Sequence, residues 1–123
     1  MNLVQIAQRA IDLDRAAAFY ERLLGSPPRA RFDPPGLVFF DLSGVRLLLE
    51  RGAPSAVLYL DVDDIHATIE RLRADGTPVV GEPHVIFTHD DDTLGPAGTA
   101  EWQAFVRDSE GNTIALVEQR PSV

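Results

Sequence analysis

The chain has 123 residues and a formal charge of −8 at pH 7, with 45% apolar residues and no cysteine. That is the size of one domain, able to close a core without disulfides or a structural metal, and it excludes thiol nucleophiles, zinc knuckles and iron–sulfur clusters. All 11 basic residues are arginine, which excludes Schiff-base catalysis and a P-loop lysine, and the acidic balance argues against nucleic acid or an anionic membrane surface as partner.

The opening, Met1 to Gln5, lacks the basic-then-apolar shape of a signal peptide. No apolar run approaches the roughly 20 residues of a membrane span, so a cytoplasmic protein is expected. From Leu3 to Ala10 the residues alternate as a strand, with Val4 and Ile6 on one side and Gln5, Ala7 and Arg9 on the other. Leu13, Ala16, Ala17, Tyr20, Leu23 and Leu24 then recur at helical spacing. Asp12 caps this helix and Gly25 ends it, with Pro27 and Pro28 blocking continuation. Arg29 to Asp33, Leu37 to Leu42 and Val45 to Glu50 follow, separated by Pro34-Pro35-Gly36 and Ser43-Gly44 turns. They read as an antiparallel meander.

The order then repeats. Ala56 to Val62 is a strand, and Asp63-Asp64 opens a helix with Ile65, Ile69 and Leu72 on its stripe and Gly76 at its end. Pro78 to Phe87, Glu101 to Arg107 and Thr113 to Gln119 are extended, the last two joined by a Ser109-Glu110-Gly111-Asn112 turn. A polar loop is expected from Thr88 to Thr99. Laying Asp12 on Asp64 also lays Leu13 on Ile65, Tyr20 on Leu72, Gln5 on Val57, Ala7 on Tyr59 and Arg9 on Asp61. Strand, cap and stripe coincide, as in a duplication.

Four stretches carry a resemblance: VQIAQRAIDLDRAAAFYERLLG from Val4 to Gly25, VLYLDVDDIHATIERLRADG from Val57 to Gly76, PHVIF from Pro83 to Phe87, and AFVRDSEGNTIALVE from Ala104 to Glu118. They resemble the vicinal oxygen chelate (VOC) superfamily of glyoxalases, bleomycin-resistance proteins and extradiol dioxygenases, over essentially the whole chain. The resemblance implies an α+β fold, the glyoxalase/bleomycin-resistance fold. In it two βαβββ modules form a curled mixed sheet around a cavity, usually completed in a homodimer. Module one is residues 1–52 and module two residues 53–123 of a single domain.

Metal-dependent members of the family carry ligands at positions that here are Gln5, Glu50, Val57 and Ala115. Valine and alanine offer no lone pair, and two oxygen ligands are too few for a Zn, Ni, Fe or Mn site. No metal and no other cofactor is therefore expected, the alternative being a divalent metal at an atypical site with Gln5 and Glu50.

With Gln5, Ala7 and Arg9 facing the cavity, the repeat puts Val57, Tyr59 and Asp61 beside them, and Arg46, Leu48 and Glu50 line the adjacent strand. That is an apolar floor with a few polar groups, the usual make-up of a small-molecule site. Arg9 is read either as a ligand contact or as an ion-pair partner of Asp61. Glu50 is a general base if its pKa is raised in an apolar cavity, or a strand-end acid paired with Arg46 or Arg51. His84, in a P-H-V-I segment found in a VOC subgroup, either points into the cavity for proton transfer or ties down a bulged strand. His66 is expected in solvent, and His89 in a solvated acidic loop with Asp90, Asp91 and Asp92. One aromatic of Phe39-Phe40 must face away from the helix, and Trp102 is placed among the ligand-binding residues.

The expected function is bleomycin-resistance-like binding or sequestration of a small organic ligand by a cytoplasmic homodimer. The alternative is a glyoxalase- or epimerase-type isomerase or lyase using Glu50 or His84 as general base, with or without a divalent metal. Arginine without lysine hints at a GC-rich bacterial genome.

Overall fold

The computed structural model describes residues 4–122. Two βαβββ modules follow one another. The first comprises β1 (Gln5–Arg9), α1 (Leu13–Leu24), β2 (Ala30–Phe32), β3 (Leu37–Leu42) and β4 (Val45–Glu50). The second comprises β5 (Leu58–Asp61), α2 (Ile65–Ala74), β6 (Val79–His89), β7 (Thr99–Arg107) and β8 (Thr113–Pro121). Each makes a four-stranded mixed sheet, ordered β1-β4-β3-β2 and β5-β8-β7-β6. In each, the strand before the helix pairs parallel with the last strand of the module and the other pairings are antiparallel. This is the expected α+β architecture, and the duplication is visible in the strand order. Leu3 of the expected first strand lies outside the described residues.

By its contacts the chain forms two compact units, residues 1–56 with 108–112, and residues 57–107 with 113–123. In the first, Leu13, Ala16, Phe19 and Tyr20 are the buried stripe of α1. They meet Val38, Phe40, Leu47 and Leu49, all fully buried. Each such large apolar side chain contributes about 2 kcal/mol on burial. Asp12 accepts the Arg15 N–H at 3.0 Å, and Gly25 ends the helix at φ 78°, a conformation that only glycine adopts without strain. In the second unit Ile65, Ile69 and Leu72 of α2 are buried together with Leu58, Ile114 and Leu116. Asp64 caps this helix through Ala67 N–H, also at 3.0 Å.

The expected polar loop begins later than alternation suggested, because β6 runs on to His89. The solvated placement of His89 is corrected. Its side chain is 2% exposed and hydrogen-bonds Glu101 at 2.9 Å. Burying the ring on that partner outweighs the turn-forming tendency of the acidic run behind it. His66 is exposed, as expected.

Candidate functional site

In the first unit, alternation sends one set of side chains under α1 and leaves the other on an open face. On that face the parallel register sets Gln5 beside Arg46, Ala7 beside Leu48 and Arg9 beside Glu50. Six residues expected at the site therefore form one array. Leu37 and Phe39 extend it through β3, opposite Glu50 and Leu48, and Phe32 packs edge-on against Phe39 with ring centres 6.1 Å apart. Phe40, by contrast, is buried on the helix side against Tyr20. The face is an apolar strip of Ala7, Leu48, Phe39 and Phe32 ending in an arginine and a carboxylate. Among the described residues, no hydrogen bond or ion pair engages the side chains of Arg9 and Glu50.

Gln5 is already engaged, since Arg46 Nε donates to its Oε1 at 2.9 Å. That oxygen is the one a family metal site would need, and a guanidinium stands against it. Val57 and Ala115, at the other two family ligand positions, carry no donor atom. Among the described residues no three His, Cys, Asp or Glu side chains gather as a metal site. The residues present do not fit the family's divalent metal, and no chemistry is routed through one.

In the second unit Tyr59 and Asp61 of β5 lie beside Ala115 and Val117 of β8. Phe105 and Gln103 of β7 share that open face, and His84 stands opposite Gln103. His84 is exposed, and its Nδ1 bonds the Glu82 carbonyl at 2.8 Å across a bulged stretch of β6. The structure does not bring Trp102 to this face. Its register partner is Glu118, and it packs on His66 of α2 beneath the Arg120 guanidinium. Phe105 occupies the open face instead, because the two positions differ by an odd number along β7. Val57 precedes β5 and is exposed.

A buried polar cluster that sequence reasoning missed also lies on this face. Glu101 accepts from His89 Nε2, from Gln103 Nε2 at 2.6 Å and from Gln119 Nε2 at 2.8 Å. Burial alone would raise the Glu101 pKa, but these donors outweigh it and hold the carboxyl below its usual range.

The sequence signatures themselves meet inside the first unit. Asp108 accepts from the Tyr20 hydroxyl at 2.7 Å, from the Glu110 and Asn112 N–H groups at 2.8 and 2.7 Å, and from Asn112 Nδ2. Burial chiefly, with Asp108 beside it, pushes the Tyr20 phenol far up. Glu110 accepts the Ile11 and Asp12 N–H groups at 2.8 and 2.9 Å and pairs with Arg15. The Arg15 hydrogen bond leads the effects that lower its pKa to about 2, against the opposing cost of burial. These residues build the turn and seat α1, so the motif that marks the fold does not mark a reactive centre. Beside them, at the end of β1, is a cavity of about 670 Å³ lined by Arg9, Ile11, residues 51–55, Glu110 and Asn112.

Comparison with known proteins gives four findings. The sequence profile of the Glyoxalase/Bleomycin resistance protein/Dioxygenase superfamily matches residues 2–116. A glyoxylase-like domain-containing protein from Didymella fabae is 33% identical over 119 residues, covering 87% of this chain and 85% of that one. Among solved structures, TnmS3, an antibiotic binding protein from Streptomyces sp. CB03234, superposes with a TM-score of 0.74 at 20% identity, over 97% of this chain and 96% of that one. A lactoylglutathione lyase from Agrobacterium tumefaciens superposes with a TM-score of 0.68 at 25% identity, over 95% and 92%.

Proposed function

Because the chain belongs to the glyoxalase/bleomycin resistance protein/dioxygenase superfamily, we propose that it binds a small organic molecule on the open face of its first sheet, without a metal. The observation that carries this reading is the strip of Ala7, Leu48, Phe39 and Phe32 ending in the unengaged side chains of Arg9 and Glu50. Apolar area supplies most of the affinity in such sites and a few polar groups set orientation. TnmS3 supports it as an antibiotic-binding protein of the same fold. Gln5, Ala7, Arg9, Arg46, Leu48 and Glu50 are the contact residues on this face. Under the same reading the protein is a cytoplasmic homodimer, and light scattering on the purified chain tests the dimer.

The deciding experiment is equilibrium dialysis against a panel of planar aromatic antibiotics, with and without EDTA. Saturable binding that EDTA leaves within twofold, and that Phe39→Ala weakens about tenfold, supports the reading. Binding that needs an added divalent ion, or none across the panel, overturns it. A second reading, proton abstraction next to a carbonyl, rests on the unengaged Glu50 carboxylate and the likeness to a lactoylglutathione lyase. Turnover of a glutathione hemithioacetal that Glu50→Gln abolishes would establish it in place of simple binding.

A further inference from the structure

We propose that the cavity at the end of β1 binds a small anionic group, a carboxylate or phosphate, through the guanidinium groups of Arg9 and Arg51. Most polar groups lining this cavity of about 670 Å³ are already committed to one another. Ser55 Oγ accepts the Arg9 N–H at 3.0 Å and donates to Asn112 Oδ1 at 2.6 Å. Asn112 Nδ2 donates to the Arg9 carbonyl at 2.7 Å and to Asp108. Glu110 has both oxygens occupied by the Ile11 and Asp12 N–H groups, by Ser109 and by Arg15, which offsets its charge. What remains is cationic.

Among the described residues no carboxylate pairs with Arg9 or Arg51, whereas Arg15, Arg31, Arg73 and Arg120 each hold one. In a chain with 19 acidic residues, two guanidinium forks left unpaired at one cavity suit an oxyanion, whose paired oxygens match their geometry. Both residues are anchored at the cavity, Arg9 by its backbone and Arg51 by its guanidinium. The backbone of Arg9 is held on both sides by Ser55 and Asn112. Arg51 Nε donates to the Ile11 carbonyl at 3.2 Å, and its Nη1 lies where a side chain on Gly36 would be, 2.5 Å from the position of an added Cβ. Gly36 has φ 103°, so glycine is favoured there twice over. The cavity is within the roughly 300–1,000 Å³ of small-ligand sites. The inference goes beyond the open-face reading and shares only Arg9 with it.

Inorganic phosphate and benzoate, titrated separately by calorimetry at constant ionic strength against a chloride blank, test the two anion sources. Saturable one-to-one binding of at least one of them is expected, weakening as salt is added. Arg9→Gln and Arg51→Gln should each weaken it at least tenfold, whereas Arg29→Gln, the same charge lost elsewhere, should leave it within twofold. If a glutamine variant melts early, Arg9→Lys and Arg51→Lys keep the charge but lose the fork, and a loss of about tenfold is expected of them. Neither anion binding above the chloride blank, full binding by the double glutamine variant, or equal loss in Arg29→Gln overturns the proposal. Phosphate and benzoate read the cavity and the antibiotic panel with Phe39→Ala reads the open face, so either can fail alone.

Discussion

The two modules share their strand order, their aspartate caps and their apolar stripes, yet they use their open faces differently. In the first, Arg9 and Glu50 end an apolar strip with their side chains unengaged. In the second, Asp61 and Val117 stand in the matching register positions, and the polar residues of the neighbouring strands are consumed by the His89–Glu101–Gln103–Gln119 cluster. The start of each helix is served by a glutamate balanced by an arginine, both glutamates coming from the second module's sequence. Glu110 with Arg15 serves Ile11 and Asp12, and Glu118 with Arg120 serves Ile65 at 2.7 Å. A duplicated fold keeps what its helices and sheet require and lets the exposed face diverge, so unengaged polar groups need appear in only one copy.

The sharpest way to break the comparison is at the β7–β8 turn, which the second module supplies but which packs within the first unit. Asp108→Ala strands four donors, one of them, the Tyr20 hydroxyl, buried, and should cost about 3 kcal/mol by urea denaturation. Next is Glu110→Gln, expected to cost about 2 kcal/mol at neutral pH. Because the folded pKa of Glu110 is lowered to about 2, its contribution is fully present above about pH 4.5 and is lost as pH falls towards 2. The variant should therefore show a flatter acid limb in melting temperature than the parent. An unchanged acid limb would remove Glu110 from the account.

Gly95→Ala probes the second module alone. An added Cβ would lie 2.7 Å from Cε1 of the His89 ring, which Glu101 holds in place. A cost of about 1–2 kcal/mol is expected, and an unchanged melting temperature would mean that the ring is not held. Smallest are Asp12→Ala and Asp64→Ala, each about 1 kcal/mol. Near-equal losses would show the caps to be equivalent across the duplication, and a twofold disparity would show that Glu110 or Glu118 substitutes for one of them.

Periodicity, caps and turn chemistry determined the elements, because each depends on residues within a few positions of one another. β3 and β4 match their expected ranges, and α1 and α2 start directly after Asp12 and Asp64. The repeat likewise foretold that the second module has the element order of the first, and alternation foretold that one of Phe39 and Phe40 turns outward, while the sheet decided that it is Phe39. What alternation could not decide was which partners lie across a sheet or along a distant turn. His89 reads as a loop residue until Glu101 is set beside it by the β6–β7 pairing, and Trp102 reads as a ligand contact until β8 places it over α2. Arg51 stood as a possible partner for Glu50 until Ile11 and Gly36 fixed its guanidinium elsewhere. Burial and hydrogen-bond pairing are properties of residues far apart in the chain, and only the folded sheet brings them within reach.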